Sequence, residues 1–426
     1  MLQREQIAPG VHLNTIEADK FNRCRISLHF RFPASKEKAT EHALLPLVLE
    51  RGYADCPDMT QFSRQLARLY GASLSVETHM QGATRVISIA VSGIKDRFAL
   101  QGENLSAAYA QIAFGVAFRP YLEEGLFSQE AVQIEKDTLA RQLESEKNDK
   151  RLYCVRQARR HFFGNHPAGV ERDGYLSQVS AITPASLTQT YQDMLEQAEL
   201  DVICMGASQQ EVRELLQQSL ASIHRKPAQL LRQSFIDAKP LEHLEEQMDL
   251  AQAKLCMMFT ADRCVNPEEM AVFRMAMSVF GGSSTSRLFL NVREKQSLCY
   301  YCSCRFVSST AMMMVDSGVE PKDAERAEQA ILEQLHQLMS GEITAQEMED
   351  NRRSVLSGLM AVEDSLAGLE NWYYTEILRG GAICTPQQAA QAVQNVTAEQ
   401  IQGALAGFHY QLGYLITQPR EDMTHD

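Results

Sequence analysis

The feature that most constrains this chain is that it writes one order of elements twice. In the first half, RISLHFRF (25–32) sets Ile26, Leu28, Phe30 and Phe32 at alternate positions, the period-2 signature of a strand. Helical patterns follow at 40–51 and at MTQFSRQLARLYG (59–71), the second with Thr60 as expected N-cap and Gly71 as its stop. Strand patterns SLSVETHM (73–80) and TRVISIAVSG (84–93) precede helices at 95–115, 124–163 and 184–196 and a last strand, LDVICMGA (200–207). The second half repeats the order. A strand at 253–261 leads to a helix at 267–282, a helix running into a strand over 286–309, and a strand at 311–319. Helices at 321–340, 344–361, 363–379 and 398–406 and a final strand at 410–417 complete it. The repeat distance of about 220 residues is far too long for a solenoid. It predicts a duplicated α+β unit, in which helices cover one face of an antiparallel sheet. The expected division is an N-terminal unit at 1–223, a linker at 224–247 and a C-terminal unit at 248–426. The linker segment carries two prolines and many charges and has no clean periodicity.

A net charge of −13 argues against a non-specific nucleic-acid binder, which carries a basic excess. No run reaches the roughly 18 apolar residues of a membrane span. The N-terminus MLQREQIAPG has no apolar h-region, so the expectation is a cytoplasmic chain with its ten cysteines reduced. CYYCSC (299–304) is the one cysteine cluster. A strand there puts Cys302 and Cys304 on one face and Cys299 on the other, and no second CxxC exists to complete a zinc site.

The stretch EHALLPLVLERG (41–52) opens on a Glu-His pair, runs apolar with helical character and ends at Gly52. His161 and His166 flank a Gly-containing turn, which leaves their geometry unset for a metal. GGSSTS (281–286) lacks the Lys of a phosphate loop and suits a tight helix junction. Met312, Met313 and Met314 alternate on a strand and are expected to pack. No GxSxG and no dinucleotide fingerprint is present.

FGGSSTSRLFLNVREKQSLCYYCSCRF (280–306) resembles the C-terminal half-unit of the M16 (insulinase/pitrilysin-like) metallopeptidases. The matching residues are Gly281-Gly282, then Ser-Arg-Leu-Phe, Val-Arg-Glu-Lys and Leu-x-Tyr. FFGNHPAGVERDGYLSQVSAIT (162–183) and LERG (49–52) are similar to further segments of that family. The resemblance implies two tandem homologous units closing like a clamshell on a peptide. It also implies an inverted zinc motif, HxxEH, with a distant Glu as third ligand. Two imidazoles four residues apart share one helical face and bind one Zn²⁺, while the intervening Glu takes a proton from the bound water.

Anchored on Gly52, the motif positions hold Ala43, Pro46 and Leu47 in place of His, Glu and His. Anchored on Glu41-His42, the motif reads Lys38-Ala39-Thr40-Glu41-His42, and its first ligand is an ammonium. The third-ligand segment, EAVQIEKDTLARQLESEK (130–147), places Arg141 and Gln142 where paired glutamates stand. The family's substrate-binding Arg and Tyr, seven apart, match Arg293 and Tyr300. Arg presents a fixed fork of donors to carbonyl or carboxylate oxygens, and Tyr one donor on a rigid ring.

The resemblance therefore implies a non-catalytic M16 subunit of the bacterial YfmF type. No metal is expected in this chain, and zinc is expected in a YfmH-like M16 partner. A homodimer is the other arrangement left open. The alternatives are an active zinc metallopeptidase with displaced ligands, a structural M16-like core protein, and a peptide-binding module acting alone.

Overall fold

The computed structural model describes residues 2–231 and 236–419. Contacts group the chain into two units. One comprises Met1–Ser145, Val170–Leu231 and Asp364–Tyr374, and the other Glu146–Gly169, Arg232–Glu363 and Thr375–Asp426.

The first unit is built on six strands: β1 (Leu2–Ala8), β2 (Val11–Ile16), β3 (Arg23–Pro33), β4 (Ser73–Gln81), β5 (Thr84–Ile94) and β6 (Glu199–Met205). They lie in the order β1-β2-β6-β3-β5-β4. β3 is antiparallel to both β5 and β6, and β2 runs parallel to β6. Ile26, Leu28 and Phe30 are fully buried, under the helices Ala39–Leu49, Leu105–Phe118 and Pro184–Gln197. The opposite face of β3 is buried too. Ser27, His29 and Arg31 point into it, and the helix Leu366–Arg379 reaches it through Glu370 and Tyr374.

The second sheet joins β7 (Glu242–Gln247), β8 (Ala253–Ala261), β9 (Cys299–Val307), β10 (Met312–Val319) and β11 (Phe408–Thr417) in the order β7-β11-β8-β10-β9. β10 is antiparallel to β8 and β9, and β7 is parallel to β11. The helix Lys150–Phe163 covers one face and donates from Arg151 Nε to Asp316 Oδ2 at 2.6 Å. Each unit thus takes a helix from the distant half of the sequence, and each of those helices meets its sheet through a buried carboxylate.

Several elements differ from expectation. The β1/β2 pair was not foreseen, because LQREQIA is charged and sits at a sheet edge, where charge discourages further pairing. β7 lies inside the segment read as linker, and EHLEEQ is likewise a charged edge strand. The helices Gln209–Leu220 and Pro386–Gln394 were also missed. The long helix expected over 124–163 is two. A 3₁₀ turn at Ser145–Asn148 ends the first, and Asp149 caps the second by accepting from the N–H groups of Arg151 and Leu152, both at 3.0 Å. The cap of the helix Met59–Arg68 is Asp58, not Thr60, since Asp58 Oδ1 accepts from Gln61 N at 2.8 Å.

Candidate functional site

The helix Ala39–Leu49 carries the positions that match the zinc motif. Ala43 joins Leu44, Leu45, Val48 and Leu49 in the core of the first unit, and Leu47 packs against that core. Pro46 is buried within the helix and supplies no N–H to the carbonyl of His42. The rival register fares no better. Lys38 Nζ lies 2.6 Å from Glu41 Oε2, which also accepts from Thr190 Oγ1 at 2.6 Å. His42 is buried against the Phe32 ring at 4.4 Å, and its Nδ1 has no hydrogen-bond partner. Burial, reinforced by the charges of Arg85 and Lys38, lowers His42 to about 3 and keeps it neutral.

The third-ligand positions, Arg141 and Gln142, are exposed on the helix Gln129–Glu144, and Arg141 Nε donates to Asp137 O of its own helix. Glu135, on the same helix, is bound by Arg51 at 2.7 Å. Among the described residues no three His, Cys, Asp or Glu side chains are placed to hold a metal ion. The residues present do not fit a zinc centre: an apolar core face and an exposed cation stand where its ligands and base belong.

Ala43→His, Pro46→Glu and Leu47→His together rewrite the motif. Overpacking a filled core costs about 1–3 kcal/mol. The variant is expected to lose about 3 kcal/mol or more in urea unfolding, since polar groups are also buried unpaired. It should retain no stoichiometric zinc after dialysis, because Arg141 and Gln142 still supply no third ligand. A stable variant that keeps one zinc per chain would overturn this account of the site.

The second unit keeps a different set. The segments Ser278–Gly282 and Leu288–Lys295 are π-helical, a wide winding often found at functional sites. Between them Ser278, Ser283 and Thr285 converge on Asn351, which is fully buried; Ser278 Oγ and Ser283 Oγ donate to its Oδ1 at 2.9 and 2.8 Å. A Cβ on Gly281 would stand 2.8 Å from Cys304 Cβ, so only glycine admits β9 this close. Arg287 is buried, pairs with Glu347 at 2.7 Å and donates to the Glu342 carbonyl. Sequence reasoning passed over Arg287 and Asn351. Its available signal was the Thr344-to-Glu347 capping-box spacing, which marks Glu347 at a helix start.

Arg293 lies in the second π-helical segment. Its guanidinium is over the Phe289 ring at 4.6 Å, with Nε 3.6 Å from the Glu294 carboxylate, and its side chain is 39% exposed. Tyr300 is 51% exposed at the start of β9, an edge strand. Cys299 pairs with Val319 and Tyr301 with Gly318, so Tyr300 is the extra residue of a β-bulge. Its hydroxyl donates to Glu320, and that carboxylate raises the phenol above its ordinary value. The bulge also corrects the expected strand faces. It brings Cys299 onto the face of Cys302 and Cys304, and all three thiols are buried. A hydrogen bond from Cys302 lowers the Cys299 thiol. The ten cysteines are free thiols. His161 stacks on Tyr414, and His166 Nδ1 accepts from Ala168 N at 3.1 Å, both structural roles. No helix among the described residues is long and apolar enough to cross a membrane.

Residues 181–355 match the family model described as the peptidase M16 inactive domain. The chain is 27% identical over 395 residues, 92% of each chain, to a protein of Bacillus subtilis (strain 168) called "Probable inactive metalloprotease YmfF". The similarity is thus to a YmfF protein, not to the YfmF type expected from the sequence. Its fold matches that of a conserved protein from Enterococcus faecalis V583, with TM-score 0.90 and 24% identity over 99% of both chains. It also matches a peptidase M16 inactive domain from Pseudomonas fluorescens, with TM-score 0.77 and 16% identity over 98% of both. The chain thus matches the M16 inactive-domain model over 181–355, resembles a probable inactive metalloprotease along nearly its whole sequence, and shares its two-sheet fold with solved M16-like proteins.

Proposed function

We propose that this chain is a non-catalytic M16 subunit that pairs with a zinc-bearing M16 partner and helps hold peptide in a chamber closed with that partner. One contrast carries the reading. Ala43, Pro46 and Leu47 fill the motif helix with core, while Arg293 and Tyr300 stay exposed on the second unit. The division of labour follows. The partner binds zinc and activates water. Arg293 offers its donors to peptide carbonyls, and Tyr300 offers a hydroxyl set by Glu320 on the rim of β9. The unpaired edge of β9 is suited to adding a peptide strand. Contacts that tighten as the scissile carbonyl becomes tetrahedral raise the rate without a metal in this chain.

The test is reconstitution with the M16 partner from the same organism. Arg293→Ala and Tyr300→Phe are each expected to lower kcat/KM of the pair at least about tenfold, a loss of about 1.4 kcal/mol. Unchanged kinetics for both variants would favour a purely structural role. The chain alone should show neither stoichiometric zinc nor peptidase activity. Zinc-dependent activity abolished by His42→Ala would reverse the assignment.

A further inference from the structure

β9 ends its sheet, so its outer side has no strand partner among the described residues. Past the bulge at Tyr300 its register against β10 is regular. Arg305 pairs with Met314 and Phe306 with Met313, so these two neighbours send their side chains to opposite faces of the sheet. Arg305 is exposed, and among the described residues no hydrogen bond or ion pair holds it. Asp316, two positions along β10 from Met314, is already engaged by Ser303 Oγ at 2.7 Å and by Arg151 Nε at 2.6 Å.

Phe306 faces the other way. Its ring stacks on Phe273 at 4.9 Å and meets Phe408 edge-on. With Phe273, Met270, Met277 and Leu359 it lines a cleft of about 380 Å³. The one charged lining residue, Arg274, already has Glu376 at 3.9 Å. The helix Ala345–Ala361 contributes Gly358 to the lining. A glycine inside a helix is less stable than alanine there. Yet a Cβ on Gly358 would meet nothing within 4 Å, so close packing does not call for the glycine. Its effect is to leave the cleft open. A strand laid along β9 continues the alternation. The side chain opposite Arg305 falls on the face of that free cation, which favours a carboxylate. The adjacent side chain, opposite Phe306, falls on the side of the cleft, whose walls favour a large apolar group.

We propose that β9 selects extended peptides in which a large apolar residue stands next to an acidic one, the apolar side chain entering the Phe306 cleft and the carboxylate meeting Arg305. This selectivity rests on the strand addition to β9 proposed above and names its substrate class. Fluorescence anisotropy on the full chain tests it with three capped, fluorescein-labelled heptapeptides. Thr-Val-Glu-Leu-Glu-Val-Thr offers its Leu to the cleft and one Glu to Arg305 in either strand direction. The second peptide has Lys for both Glu, and the third has Ala for Leu. The first should saturate with a Kd of about 100 µM or tighter. The Lys peptide should bind about fivefold more weakly, and the Ala peptide about tenfold. Arg305→Glu should invert the preference between the Glu and Lys peptides, a gain that misfolding cannot mimic. Gly358→Phe should fill the cleft and weaken the Leu peptide at least about tenfold without lowering the thermal melt, since a helix interior disfavours glycine. The proposal is overturned by no saturable binding, by equal binding of the Glu and Lys peptides or of the Leu and Ala peptides, by an unchanged preference in Arg305→Glu, or by wild-type affinity in folded Gly358→Phe. Turnover by the reconstituted pair separates this from the parent reading. Lost turnover in Arg293→Ala with an unchanged preference in Arg305→Glu removes the selectivity and keeps the subunit's role. Inverted preference with unchanged turnover in Arg293→Ala and Tyr300→Phe does the reverse.

Discussion

Glu370→Ala is expected to destabilise the first unit by about 3–5 kcal/mol, the cost of removing one partner from a buried ion pair. Glu370 is 4% exposed and meets two partners on β3, Arg25 and His29. One oxygen lies 3.0 Å from His29 Nε2, and the other accepts from Arg25 Nε. His29 Nδ1 is 2.8 Å from Ser88 Oγ, and its ring stacks on Tyr374 at 4.1 Å. Burial alone would raise the Glu370 carboxyl. The hydrogen bond from His29, with the charges of His29 and Arg25, outweighs burial and holds it at about 2. Deleting the carboxylate leaves Arg25 without this counter-charge and His29 Nε2 without its partner under the helix. Glu370→Gln keeps the shape and an acceptor, and should cost about 1–3 kcal/mol. Urea unfolding at neutral pH measures both. Trp372, the single tryptophan, lies within Asp364–Tyr374 and reports on this unit by fluorescence. A Glu370→Ala curve within 1 kcal/mol of wild type, at an equal m-value, would contradict the role given to the pair.

That network also shows why half of the sheet was hidden in the sequence. The alternation of RISLHFRF correctly gave the strand and its apolar face. It also placed Ser27, His29 and Arg31 on the other face, where polarity suggests water. Period-2 patterning separates two faces but cannot tell solvent from a second buried layer satisfied by charge. The covering residues, Glu370 and Tyr374, lie more than 300 residues downstream, beyond the reach of any local pattern. Arg151 on Asp316 repeats the situation in the other unit, and its helix read only as part of one long amphipathic run. The candidate site divides the same way. At the positions the resemblance assigns to the metal motif, residue type is directly readable: Ala43, Pro46 and Leu47 have no donor atoms in their side chains. The bulge at Tyr300 was not readable, because a bulge depends on the register of β9 against β10. A regular strand therefore put Cys299 on the wrong face, and the contact of Tyr300 with Glu320 went unseen.

Acid should destabilise this protein between pH 6.5 and pH 5, before its carboxylates protonate, with His42 and His79 as the main cause. Burial lowers His42 to about 3. Burial, with the charges of His29, Arg172 and Arg85, lowers His79 to about 4. Arg85 cannot move away, since its guanidinium donates to the carbonyls of Glu171 and Arg172, both at 2.7 Å. In the unfolded chain each imidazole titrates near 6.5. Above that value both states are neutral at these positions, and stability does not depend on them. Below it the unfolded chain gains protons that the folded chain refuses, so stability falls as pH falls, until the folded values are reached. Each group contributes about 1.4 kcal/mol per pH unit in this window. From pH 7 to pH 5 that is about 2 kcal/mol for each histidine, or about 4 kcal/mol together. His12 and His166, also lowered chiefly by burial, act in the same direction. Glu50, raised by burial, opposes them. A difference measurement isolates one group from this background. His42→Leu removes the imidazole and keeps an apolar body against Phe32, so its stability at pH 7 should stay within about 1.5 kcal/mol of wild type. Its loss between pH 7 and pH 5 should be smaller than the wild type's by about 2 kcal/mol. Urea midpoints at pH 7, 6 and 5 for both proteins give that difference directly. Parallel pH profiles would mean that His42 takes up its proton in the folded state, which a ring buried on Phe32 and lacking a partner at Nδ1 has no means to stabilise.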